Sequence, residues 1–318
     1  MRRFDVHAHA VMVGTDEAAQ AQVRELVERE GFAGPVPGAG WSRQGALEFM
    51  DARGIALQLL SSPQALDGHR SRAWNDQTAE LVRQDPSRFG LLAALPMTEP
   101  DAALEELARA ADELGADGVG IATNYDGAYL GDPRFLPVFT ELARRALPVF
   151  VHPTLPPGFE GVGLGRPGPL LEYPMDTARS AVDALFAGLL LDLPDLDLVL
   201  AHAGGVLHAL VERIALLGVQ PWTANPRGLS GEQLRAQAGA LYLDTAITGG
   251  PGGIRPAADL VGVDQVVFGS DYPPAGVDTI DATLAGLEAT LDEDERARVE
   301  GAFGRLFPRA AARAAHLG

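Results

Sequence analysis

The 318-residue sequence contains no cysteine. That absence removes disulfides, thiolate nucleophiles, thiolate metal sites and iron–sulfur clusters together. There is no lysine either, so all 25 basic side chains are arginine. Schiff-base chemistry, a lysine-bound pyridoxal cofactor and a P-loop lysine are excluded with it. So is a metal pair bridged by a carboxylated lysine. Basic charge is also scarce: 43 acidic side chains give a formal net charge of −18. Such a surface repels nucleic acid, whose phosphates require a basic footprint. A bound cation would still reverse the local field for an anionic ligand. No apolar run reaches the ~18 residues of a membrane span, and "GTDEAAQAQVRELVERE" follows the start too closely for a signal peptide. A cytoplasmic protein with neither nucleic acid nor membrane as partner is expected. The available chemistry belongs to His, Asp, Glu, Ser, Tyr, Arg or a metal ion.

What is present is a supersecondary repeat. Short apolar runs alternate with amphipathic helical stretches: "FDVHAH" (4–9), "ALQLLSSP" (56–63), "FGLLAALPM" (89–97), "GVGIATN" (118–124), "PVFVHP" (148–153), "DLVLAHAG" (197–204), "LYLDTA" (241–246) and "QVVFGSDYP" (265–273). Near-continuous apolar character marks strands buried on both faces. Between them lie helix patterns such as "EPDAALEELARAADELG", with an acidic first turn and a glycine stop. Eight βα units predict a (β/α)8 TIM barrel, distorted, spanning 1–318 as a single domain. A doubly wound open sheet is the alternative, but no G-x-G-x-x-G follows the first strand. Three Gly- and Pro-rich connections exceed the usual ~2–6 residues. They cover roughly 10–41, 154–174 and 218–233, and are expected to roof the active site as the long loops of the first, fifth and sixth strands.

The chain has only seven histidines. His7 and His9 lie two apart on one strand and so share a face. His152 ends the fifth run, His202 the sixth, and Asp271 the eighth. Barrel active sites are built at these C-terminal strand ends. Imidazoles and a carboxylate with no thiolate nearby suit a divalent ion such as Zn²⁺ with open coordination positions. His69, His208 and His316 read as surface or structural residues.

"DVHAH", "VFVHPT", "LAHAGG" and "VFGSDYP", in that order from position 5 to position 273, resemble the amidohydrolase superfamily. The resemblance is to its aminocarboxymuconate-semialdehyde decarboxylase branch, and there to members similar to 6-methylsalicylate decarboxylase. It implies a mononuclear site with His7, His9, His152 and Asp271 as ligands to one divalent metal, Zn²⁺ or else Mn²⁺, and His202 as the acid/base. It also implies a homodimer. His7 stands where some aromatic-acid decarboxylases of the branch carry Glu, and Ala46 where the muconate-semialdehyde enzymes carry Arg.

The function expected on this resemblance is a metal-dependent carboxy-lyase that releases CO2 from a small aromatic or unsaturated carboxylic acid. Hydrolysis of a lactone, ester or amide is the alternative, with a metal-bound water deprotonated by Asp271 and His202 polarising the carbonyl. Pocket walls are expected from the strand ends at Ser61, Asn124, Tyr125 and Asp244, and from Phe159 and Trp222 in the long loops. Asp176 reads as the N-cap of a helix in "PMDTARS". A non-catalytic binding protein would show a lost ligand, and none is lost. A serine hydrolase lacks its G-x-S-x-G elbow.

Overall fold

The computed structural model describes residues 3–10, 17–34 and 41–315. Eight strands lie side by side in chain order: β1 (Arg3–His9), β2 (Ile55–Ser61), β3 (Phe89–Ala94), β4 (Gly118–Ala122), β5 (Val149–His152), β6 (Leu198–Leu200), β7 (Tyr242–Asp244) and β8 (Val266–Val267). Every neighbouring pair is parallel. The ring closes where the chain beyond β8 returns to β1. Val6 N donates to Phe268 O at 2.9 Å, Asp271 N to His7 O at 2.8 Å and His9 N to Tyr272 O at 2.8 Å. The architecture is the expected TIM barrel, with one strand from each of the eight apolar runs. A small hairpin, Asn124–Tyr125 against Ala128–Tyr129, follows β4.

The helices form for local reasons and bury one stripe each. Pro100–Asp112 starts on a proline and buries Ala103, Glu106, Leu107 and Ala110, spaced three, one and three residues apart along a single face. Glu293–Leu306 opens with a capping box between Asp292 and Glu295. Among the described residues, no helix is long and apolar enough to cross a membrane.

Inside the ring, Val6, Leu57, Leu59, Leu92, Phe150, Val199 and Val267 converge from opposite sides and pack with Phe303 and Phe307. The helices Glu293–Leu306 and Pro308–Ala315 thereby close the N-terminal floor. Phe4 stacks on Phe303 with ring centroids 4.7 Å apart. Arg313 grips the buried carboxylate of Asp117 with two nitrogens, at 2.8 and 2.9 Å.

β1 contains an irregularity that sets up the site. Strict alternation would place Val6 and Ala8 on one face and His7 and His9 on the other. The register with β2 shifts between Asp5 and Ala8. Val6 therefore joins the interior cluster, and the His7 ring above it also turns inward, 4.8 Å from Phe150. Ala8 packs into the outer layer beneath the helices.

Candidate metal centre

His7, His9, His152 and Asp271 are all buried, and each offers one donor atom within 4.8 Å of the others. Their elements explain the convergence. His7 and His9 end β1, His152 ends β5, and Asp271 lies on the segment that closes the ring onto β1. His7 Nε2 and His9 Nε2 are 3.1 Å apart, and they lie 3.3 and 3.2 Å from Asp271 Oδ1.

The partners of the far ring nitrogens decide which atoms face the centre. His9 Nδ1 is 3.1 Å from the carbonyl oxygen of Ser61, which only accepts, so Nδ1 carries the hydrogen. His7 Nδ1 lies 2.6 Å from Asp244 Oδ2. Both Nε2 atoms then present lone pairs to each other and to Asp271 Oδ1, which has no hydrogen-bond partner among the described residues. His152 Nδ1 is likewise buried without a partner among the described residues. A cation placed between such converging acceptors satisfies them together. The residues present therefore fit a divalent metal held by three imidazoles and one carboxylate.

The electrostatics agree. Burial holds the pKa of His9 below its ordinary value and, joined by the neighbouring imidazoles, that of His152 well below. Both rings are neutral and ligand-ready. Burial also opposes charge on His7, but the carboxylates of Asp271 and Asp244 outweigh it and push its pKa up to about 10. The same two carboxylates that favour a proton on His7 favour a metal cation beside it. Burial works against charge on Asp271, yet the charge of His7 and the hydrogen bond with His202 hold the carboxyl well below the usual range.

Asp244 and Ser61 hold this centre and do not wall a pocket, contrary to expectation. Asp244 uses Oδ2 for His7 and Oδ1 to accept from His202 N at 2.7 Å and Ala246 N at 3.0 Å. Both residues are fully buried behind the ligands. Asp5, which the sequence reading passed over, ties β1 to its neighbours. It accepts from His7 N, Gln58 Nε2, Ser270 N and Ser270 Oγ at 2.5–3.1 Å. Burial still pushes its pKa up to about 6 against those bonds. Gly269 is required here, since a Cβ would sit 2.9 Å from both Asp244 Oδ2 and the Cβ of His7.

His202 stands beside the ligand set. It occupies a turn at φ 56°, with Nε2 3.4 Å from Asp271 Oδ2 and Nδ1 buried without a partner among the described residues. Gly205 shapes this turn: a Cβ would lie 2.0 Å from Pro174 O, so the β5 segment packs directly onto it.

Above the centre opens a cavity of about 1090 Å³ that His152, His202 and Asp271 line. Its walls are mainly apolar and include Phe32, Leu155, Pro156 and Pro274. Asn124 and Tyr125 are among the residues that line it. Phe159 and Trp222 are not. Phe159 begins a four-residue helix and folds over Gly163, where a Cβ would meet its ring at 2.7 Å. Trp222 is 71% exposed. The helix Leu207–Leu217 has already carried the chain roughly 16 Å from the end of β6. The 218–233 segment is therefore not a roof, and Arg227 anchors it to Asp192 on the outer layer.

The segments after β1 and β5 do roof the cavity, and they are tied together there. Tyr173 OH donates to Glu30 Oε2 at 2.6 Å, and Gly168 N to Glu30 O at 2.9 Å. Burial raises the pKa of both Glu30 and Tyr173. Residues 11–16 and 35–40 of the first roof segment lie outside the described residues, as does His316. Asp176 is no N-cap: it lies fully buried inside the helix Gly168–Ala187. There it accepts from Thr123 Oγ1, Asn124 Nδ2, Tyr129 OH and Arg179 at 2.5–2.8 Å. It pins the β4 end of the wall to the β5 side.

Comparison with known proteins follows the same lines. The family model described as "Amidohydrolase" matches residues 4–302. The 6-methylsalicylic acid decarboxylase of Penicillium expansum is 37% identical over 245 residues, 75% of each chain. Decarboxylase macB of Penicillium terrestre is 32% identical over 97% of this chain and 96% of its own. The dihydroxybenzoic acid decarboxylase structure from Polaromonas sp. JS666, with manganese and 2-nitroresorcinol bound, superposes with a TM-score of 0.78. It is 22% identical, covering 96% of this chain and 97% of that one.

Proposed function

This chain belongs to the amidohydrolase family, matched from residue 4 to residue 302, and from that premise we propose that it is a metal-dependent carboxy-lyase of small aromatic carboxylic acids. We take residues 1–318 as one barrel domain working as a homodimer, a reading supported by the exposed Leu164, Leu170 and Leu171 of the β5 segment. The observation that carries the reading is the set of buried acceptors on His7, His9 and Asp271, turned on one another beneath an apolar cavity with His202 at its edge.

His7, His9, His152 and Asp271 are the residues that hold the ion, with Zn²⁺ the first choice for this donor set and Mn²⁺ the second. Bound there, the ion supplies Lewis acidity and a fixed point for an anionic oxygen. His202 is the acid/base, its Nε2 kept beside Asp271 by a backbone tied to Asp244. It delivers a proton to the ring carbon that bears the carboxylate. The bond from that carbon to the carboxylate then breaks, CO2 leaves, and the bonding pair restores the aromatic ring. Such positioned proton transfer contributes typically ~10²–10⁴-fold. The apolar walls hold the ring and keep bulk water from competing with His202 as proton donor.

The test is CO2 release. Protein loaded with Zn²⁺ or Mn²⁺ is incubated with 2-hydroxybenzoates, and CO2 and phenol are measured together. The expected result is equal yields of both, lost on chelation and restored by the ion. Turnover of lactones or esters with no CO2 from any aromatic acid would move the function to hydrolysis.

A further inference from the structure

Among the described residues, seven non-glycine residues have left-handed backbone: Asp126, Ala146, Leu164, His202, Ala203, Ile247 and Asp271. Four of these, Asp126, His202, Ile247 and Asp271, line the mouth cavity. This conformation pushes Cβ against the following carbonyl; Asn and Asp tolerate it best and β-branched residues worst. Ile247, at φ 55°, is the one β-branched member of the seven. Core packing does not explain it, since the residue is 44% exposed. Its turn is held from both sides. Thr248 Oγ1 donates to Thr245 O at 2.7 Å, and β7 just before it ends in Asp244, the partner of His7 and His202. Strain of this kind persists where the surroundings over-determine it, commonly at ligand clamps.

Three polar side chains of the wall are already engaged with protein partners. Asn124 Nδ2 donates to Leu155 O and Asp176, Tyr125 OH accepts from Ala122 N, and Tyr173 OH donates to Glu30. We propose that Ile247 is a specificity-determining residue, an apolar lip held in the cavity against its backbone preference. It favours aromatic acids carrying an alkyl group remote from the carboxylate. The choice of ligand class rests on the decarboxylase reading.

The experiment uses the metal-loaded protein with Ile247→Gly and Ile247→Val. Calorimetry gives Kd for 2-hydroxybenzoate and 2-hydroxy-4-methylbenzoate, whose methyl lies para to the carboxylate, with Tm and CO2 release measured alongside. Ile247→Gly is expected to keep Tm or raise it by about 1–3 °C, and to lower the preference for the methylated ligand about tenfold. Ile247→Val, which keeps the branched shape, is expected to retain most of that preference at unchanged Tm. A preference in Ile247→Gly within twofold of wild type overturns the proposal. So does a Tm lowered by more than 3 °C, which makes Ile247 a packing residue. Preferential binding without CO2 release overturns only the decarboxylase reading. Failure of wild type to bind either ligand overturns both.

Discussion

The two ends of the barrel are built on opposite terms. At the floor, Phe4, Phe303 and Phe307 stack in a dry cluster, and the buried carboxylate of Asp117 is paired by Arg313 and by Leu91 N. At the mouth, His152 Nδ1, His202 Nδ1 and Asp271 Oδ1 are buried with no partner among the described residues, and left-handed side-chain-bearing residues gather round the cavity. Packing at one end holds the ring in shape. The other end is thereby free to keep unpaired acceptors and strained backbone, which are the features a ligand or ion satisfies. Stability and chemistry are thus separated along the barrel axis, and substitutions at the two ends should fail differently.

The largest expected effect is at the mouth. Asp271→Ala removes the carboxylate facing both His7 and His9, and CO2 release should fall on the order of 10³-fold or more, with Tm within a few degrees of wild type. A Tm collapse would show that the mouth is also structural. At the floor, Phe303→Ala leaves a cavity beneath Phe4 and should lower unfolding free energy by about 3–5 kcal/mol, read by denaturant titration, while kcat and KM at low temperature stay unchanged. Asp244→Asn sits between these cases. It keeps the fold but loosens His7 and the His202 turn, and metal affinity or activity should fall about 10–100-fold, measured by metal titration. The smallest effect belongs to Tyr173→Phe, which cuts one hydrogen bond to a carboxylate between the two roof segments. Amide exchange in Leu26–Phe32 should rise, and kcat/KM should fall by less than roughly tenfold.

The same division governs how much could be read from the sequence. The eight strands were legible because a parallel strand covered on both faces must be apolar along its length. His7, His9, His152, His202 and Asp271 were legible as a group because histidines are few and strand ends are where barrel sites form; the family resemblance singled out the four ligands among them. That Val6 also turns inward was not legible, since the register shift between Asp5 and Ala8 has no local signature. Nor were the roles of Ser61 and Asp244. A residue at a strand end can face the cavity or the back of a ligand, and the partners that decide it lie 52 and 237 residues away in sequence. The 218–233 segment was misplaced because glycine and proline mark a loop without saying at which end of the barrel it falls. Asp176 was mistaken for a cap because its partners at Thr123, Asn124 and Tyr129 come from other elements.

The most direct measurement is elemental analysis of the purified protein and of His7→Ala, each exposed to Zn²⁺ or Mn²⁺ and then freed of loosely bound ion. About one tightly held ion per wild-type chain, absent from the folded variant, is the expected result for a centre built by His7, His9, His152 and Asp271. A wild type that holds no ion, or a variant that holds as much as wild type, would contradict it.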